Sequence, residues 1–205
     1  MAASDRSIVS DTLRRLPQLV IGLVIFGTGL GFTVQGTNGQ GPWTVFHEGF
    51  ADHTPLSIGT ATIATGVLLL LATLGMKVPI GVGTILNVAV IGPATDITIW
   101  LVDTPDSAAA RGTLTIVGPL LTALGSGLYL GVHLGPGPRD GLMTGLNERG
   151  LSIRTARFAI EAVAFTAGVI LGGTFGWGTV WWLLVIGPAV QWMLPPFDRG
   201  PLPRP

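Results

Sequence analysis

Val90-Ile91-Gly92-Pro93-Ala94 returns residue for residue as Val185-Ile186-Gly187-Pro188-Ala189, 95 positions later. Gly83-Thr84 and Ser57-Ile58 return at the same offset, as Gly178-Thr179 and Ser152-Ile153. Gly29, Gly31, Gly41-Pro42 and Gly49 return as Gly125, Gly127, Gly137-Pro138 and Gly145 at an offset of 96, so the register shifts by one residue in the loop between. Shared apolar composition alone does not keep five identities in step. The chain is therefore read as two copies of one unit.

Each copy lies in strongly apolar sequence. Hydrophobic residues make up 48% of the 205 and charged residues only 11%, against about 25% charge in a soluble domain. Too little polar surface remains to cover a water-soluble globule, and mean hydropathy is +0.62. The 31 Gly and 15 Pro sit inside apolar stretches, as in helices packed closely in lipid. Six segments are long enough to cross a bilayer, where about 20 apolar residues are needed: 17–34, 56–74, 79–102, 113–134, 157–174 and 177–194. The first is not a cleavable signal, since it runs into Gly-rich polar sequence and five further spans follow.

Three spans per copy is an odd number, so the second copy enters from the opposite side. This is an inverted-topology repeat. Lys/Arg placement gives the same answer: ten fall on the side of both termini, and Arg111 alone falls on the other. By the positive-inside rule both termini are cytoplasmic. The expected fold is all-α and polytopic, with six transmembrane helices as two inverted three-helix repeats. The division is a tail over 1–16, a first repeat over 17–102, an external linker over 103–112, a second repeat over 113–194 and a Pro-rich tail over 195–205. That last tail is expected to be disordered or polyproline-like.

Each copy also holds a short segment opened by Gly-Pro, Gly41-Pro42-Trp43-Thr44 and Gly137-Pro138-Arg139-Asp140. Proline suits the first helical turn, where its missing N–H has no partner to lose. Trp43, Phe46 and Phe50 fall on one helical stripe, as do Leu142, Met143 and Leu146. Both segments read as short amphipathic or half-inserted helices, too short to span.

These strings resemble the YczE/YyaS/YitT family of bacterial integral membrane proteins. The likeness is carried by Gly41-Pro42-Trp43, Gly81-Val82-Gly83-Thr84-Ile85-Leu86-Asn87, Ile91-Gly92-Pro93, Gly137-Pro138-Arg139-Asp140-Gly141-Leu142-Met143, Leu151-Ser152-Ile153-Arg154, and Gly178-Thr179 with Ile186-Gly187-Pro188. It runs from about Leu16 to Leu194. One departure is Thr44, where the family's first copy often has Asp, as Asp140 stands in the second. The resemblance implies a fold and a bacterial cytoplasmic membrane; it assigns no activity.

Few residues carry chemistry. A Gly-Pro helix start presents free N–H groups that favour anions, and Arg139 adds a planar cationic fork. Gly137, Pro138, Arg139 and Asp140 are thus read as a site for a carboxylate, phosphate or lipid headgroup, joined by Trp43 from the matching segment. The competing reading makes Arg139 a topology charge paired with Asp140 or with phospholipid. Asn87 and Asp96 are read as lining a path; they could equally be an interhelical hydrogen bond and an interfacial cap. Glu161, four residues after Arg157, is read as proton-coupling, or as half of an i, i+4 ion pair. The series Gly27/Gly31, Ala123/Gly127/Gly131 and Gly168/Gly172/Gly176 read as packing seams, within the unit or at a homodimer contact.

Other classes are excluded. The absence of Cys removes disulfide scaffolds and Cys-ligated metal centres. His47 and His53 are placed poorly on one helical face, and His47, His53 and His133 are read as interfacial, so no metal is expected. The dispersed basic residues and net charge of +0 exclude a nucleic-acid partner. No GxSxG, HExxH or Walker A motif occurs, so neither an enzyme nor a cofactor is expected. The reading is a small secondary transporter or facilitator of a small organic solute, anionic by the Arg139 argument, working by alternating access. The alternative is a non-transporting accessory or lipid-binding membrane protein that holds anionic lipid.

Overall fold

The computed structural model describes the backbone of residues 3–202 and the side chains of residues 8–202. Arg204 and the side chain of Arg6, both in the charge count above, lie outside the described residues. Among the described residues the regular structure is helical: α1 (Ala3–Gly36), α2 (Pro42–Asp52), α3 (Ile58–Gly75), α4 (Val82–Leu101), α5 (Ala108–Leu130), α6 (Pro138–Asn147), α7 (Ile153–Ile170) and α8 (Trp177–Met193), then a 3-10 turn at Pro195–Phe197.

Five of these are long and apolar enough to cross a membrane: α1, α3, α4, α5 and α8. The sequence predicts six. Helix α7 matches α3 in length at 18 residues, but Arg154, Arg157 and Glu161 fall within that length, whereas the longer α1 keeps an uncharged run beyond Arg15.

Local chemistry explains the starts. Ser57, Ser107 and Ser152 each accept the backbone N–H three residues on, at 3.1 Å, filling one of the orphan donors of a first turn. The Ser152 cap begins α7 one turn before the expected 157, so Arg157 lies inside the helix. The Ser107 cap likewise begins α5 inside the expected 103–112 linker. Gly41 and Gly137 precede α2 and α6, with Pro at the first helical position.

Helix α1 packs along α5 and α4, and α5 packs on α8. Helix α2 sits between α7 and α3, and α6 between α3 and α7. These contacts match in pairs across the offset of 95–96 residues. So do individual hydrogen bonds: Gly83 N donates to Leu134 O at 2.7 Å, and Gly178 N donates to Asn38 O at 2.8 Å. The close crossing of α1 on α5 requires glycine. A Cβ on Gly22 would stand 2.9 Å from Gly125 O, and one on Gly118 would stand 2.8 Å from Gly29 O. Gly27 and Gly31 meet α4, whereas Gly168 meets α2, so these seams are internal; a Cβ on Gly172 would meet nothing, and that residue serves a left-handed turn at φ +84°.

Both expected tails differ. Residues from Ala3 onward belong to α1, and the stretch after α8 folds back as a strap. The reason is Arg15, only 5% exposed. Its Nη1 donates to Val132 O at 2.9 Å and Gly200 O at 2.6 Å, and its Nη2 pairs with Asp11 at 2.9 Å. A buried guanidinium must have such partners, and the strap supplies one. Arg199 N donates to Gly131 O at 2.8 Å, and Leu202 packs on the core around Leu19 and Leu23. His133 Nε2 meets Asp198 Oδ1 at 2.6 Å, a partner that nothing in the sequence indicates. The Gly200 N–H and then His133 hold the Asp198 carboxyl below the usual carboxylate range.

Candidate functional site

The two Gly-Pro helix starts meet at the centre of the protein. The Arg139 guanidinium lies over the Trp43 ring, 5.4 Å from its centroid, a cation–π contact. Around them is a chamber of about 70 Å³ whose walls include Trp43, His47, Asn87, Arg139, Glu161 and Trp182. Its apolar side is closed by Phe26, Leu30 and Ile91 of α1 and α4.

Several polar groups of this chamber lack partners among the described residues, as do Gln40 and the Arg15 Nε outside its lining. Arg139 is half-buried, yet among the described residues it makes neither an ion pair nor a hydrogen bond; Asp140 takes the Tyr129 hydroxyl instead, at 3.2 Å. Asn87, also half-buried, makes no side-chain hydrogen bond among the described residues. Gly137 allows this crowding, since a Cβ there would stand 3.2 Å from Asn87 Nδ2. His47 is 5% exposed; its Nδ1 meets Thr62 Oγ1 at 3.0 Å, and its Nε2 is buried without a partner. Trp43 Nε1 is likewise buried and unpartnered. Buried polar groups are almost always hydrogen-bonded, so a cluster of exceptions needs an explanation.

The sequence-derived residues therefore divide. Trp43, Asn87, Pro138, Arg139 and Glu161 line the chamber, with Gly137 beside Asn87. Asp140 lines an adjoining cleft, which also reaches Arg139 and Glu161. Glu161 Oε1 accepts from Arg157 Nε at 3.1 Å, the i, i+4 pair its spacing allows. Asp96 lies away from the chamber. Its Oδ2 accepts from Ser57 Oγ at 2.5 Å and its Oδ1 from Gly59 N at 2.8 Å, tying down the first turn of α3. His47, read from sequence as interfacial, is instead a buried chamber wall. Its place one turn after Trp43 on α2 was the available signal. Tyr129 carried no local signal.

The cleft has a volume of about 220 Å³ and lies between α7 and α8, with Tyr129, Arg139 and Asp140 at its base. The model of a family of unknown function (DUF6198) matches residues 13–195 of this chain. The chain belongs to that family. Three curated proteins are similar to this chain over most of their length. An uncharacterized protein of Haemophilus influenzae is 38% identical over 184 residues, covering 89% of this chain and 84% of its own. The uncharacterized membrane protein YczE of Bacillus subtilis is 29% identical over 179 residues, covering 85% and 82%. The uncharacterized protein YyaS of the same organism is 27% identical over 187 residues, covering 87% and 92%. No solved structure matches. Five apolar helices and the YczE relationship make this DUF6198 chain an integral membrane protein.

Proposed function

We propose that the chain is a small secondary transporter or facilitator of an organic anion, built as two inverted three-helix repeats in a bacterial cytoplasmic membrane. In this reading α7 is the sixth span, and both termini are cytoplasmic. The matched contacts of the two halves and the ten-to-one placement of Lys and Arg support that topology.

One observation carries the anion. A half-buried guanidinium without an ion pair is costly at membrane depth, and Arg139 sits between two helix starts whose N–H ends also favour negative charge. Asn87 and His47 Nε2 would add hydrogen bonds, and Trp43 would hold the face of the fork. Glu161, paired with Arg157 at the chamber's edge, is the group placed to exchange a proton with the cytoplasmic side.

The test is uptake of small carboxylates and of inorganic phosphate into proteoliposomes, for wild type and Arg139→Ala. Saturable uptake by wild type that Arg139→Ala abolishes is the expected result. Saturable binding without flux in any gradient would instead favour the accessory, lipid-holding reading.

A further inference from the structure

The two halves match in most contacts and differ most at the pair α3–α4 against α7–α8. In the first half α3 and α4 are sealed together. A Cβ on Gly92 would strike Gly59 O and Ile63, and Asp96 bonds to Ser57 and Gly59. The matching residues in the second half are Gly187, Arg154 and Gln191. A Cβ on Gly187 would have nothing within 4 Å, and α7 and α8 do not pack against each other as α3 and α4 do. The cleft of about 220 Å³ is what this difference leaves.

The cleft has two kinds of wall. One is polar, with Arg157 and Glu161 from α7 and Thr122 and Ser126 from α5; the other is mainly apolar, with Ile186 and Val190 from α8 and Met143 from α6. Where it adjoins the chamber is Arg139, which has no ion pair among the described residues. The chamber beyond, at about 70 Å³, holds only a handful of waters on a scale where one needs about 10–15 Å³. It has room for an acid group and little else, so the body of any larger ligand must lie in the cleft. Beside the Arg157–Glu161 pair, that cleft is already lined by Asp140, a carboxylate with no ion pair among the described residues. A monoanion is therefore favoured over a dianion such as phosphate, because like charges at close range repel.

We infer that the cleft between α7 and α8 takes the hydrocarbon chain of a single-chain carboxylate whose acid group is held by Arg139. This rests on the anion site proposed above and adds the ligand class and its route. Gly187 is the residue that keeps the route open.

The experiment measures binding of laurate and of propionate to the full chain in phosphatidylcholine nanodiscs, with empty nanodiscs subtracted. Burial of each methylene strengthens binding about fourfold, so wild type should hold laurate at least roughly tenfold more tightly than propionate. Gly187→Leu should weaken laurate by roughly tenfold or more and leave propionate within about twofold, whereas Arg139→Gln should weaken both. Val190→Phe narrows the same cleft from a second position and guards against a folding defect in the first variant. Laurate binding untouched in both cleft variants would overturn the inference and leave the Arg139 anion site standing. Loss of laurate to added phosphatidylglycerol would assign the cleft to a bilayer lipid and also overturn it. Failure of both acids to bind saturably would remove the anion site itself.

Discussion

The guanidinium of Arg139 lies 5.4 Å above the ring of Trp43, and the two residues hold matching positions, 96 apart, at the starts of α6 and α2. Two chemically different residues thus face each other where the halves of the protein meet. The pair makes the centre of a near-repeated structure polar on one side and aromatic on the other. Arg139 has no other partner among the described residues, so the contact leaves the edge of the fork free. Removal of this charge gives up a cation–π contact of about 0.5–2 kcal/mol and relieves a half-buried charge that has no ion pair. These oppose each other, so Arg139→Met is expected to leave the melting temperature of ligand-free protein near that of wild type. The same variant should lose all thermal stabilisation by small carboxylates.

Arg15 is the opposite case. Its charge is buried, and both terminal nitrogens of the guanidinium are engaged, with Asp11, Val132 and Gly200. Arg15→Ala should destabilise the protein by about 3 kcal/mol, because it leaves buried acceptors unpaired and frees the C-terminal strap. Arg157→Ala, which breaks a half-exposed i, i+4 pair, should cost no more than about 0.5 kcal/mol. Thermal melts of the two variants in one detergent compare them directly.

The glycines separate in the same way. A Cβ on Gly125 would stand 2.5 Å from Phe26 N and from Gly22 O, both backbone atoms that cannot give. Gly125→Ala should destabilise by about 1–3 kcal/mol. Gly187→Ala meets open space and should stabilise by up to about 1 kcal/mol through helix propensity. The sign difference is readable from melting temperatures alone.

The chain has no cysteine, so single substitutions report sidedness cleanly. Asp106→Cys and Glu148→Cys alter exposed loop positions and leave every Lys and Arg in place, which preserves orientation. A membrane-impermeant maleimide applied to intact cells should label the first and spare the second. Labelling of both or of neither from outside would contradict the inverted arrangement.

Asp198 has its pKa lowered in the folded state, first by the Gly200 N–H and then by His133. A depressed carboxylate contributes stability above its ordinary value of 3.8, and that contribution is lost as pH falls through the folded value. Asp198→Asn should therefore melt below wild type at neutral pH. The difference should close below about pH 4. A gap unchanged across that range would show that the strap does not depend on this carboxylate.

Sequence by itself determined what local chemistry and solvent dictate. Scarce charge and long apolar runs required a membrane protein, and Gly-Pro required short helices at two matching places, whereas the starts of α5 and α7 differ from the expected ones because Ser107 and Ser152 cap them earlier. The Arg157–Glu161 pair followed from helical spacing. Residues far apart in the chain lay beyond that reach. Only the tertiary structure decided that Arg139 lies on Trp43, that Arg15 is buried beneath a strap, and that His47 is a chamber wall. It also decided that Asp96 ties α3 to α4 while Gln191, its match, closes nothing. The physical reason is that repeat identity fixes which contacts are available to both halves, whereas burial and cleft volume depend on how non-identical side chains fill the space between them. A single glycine, packed at 92 and open at 187, separates the two outcomes.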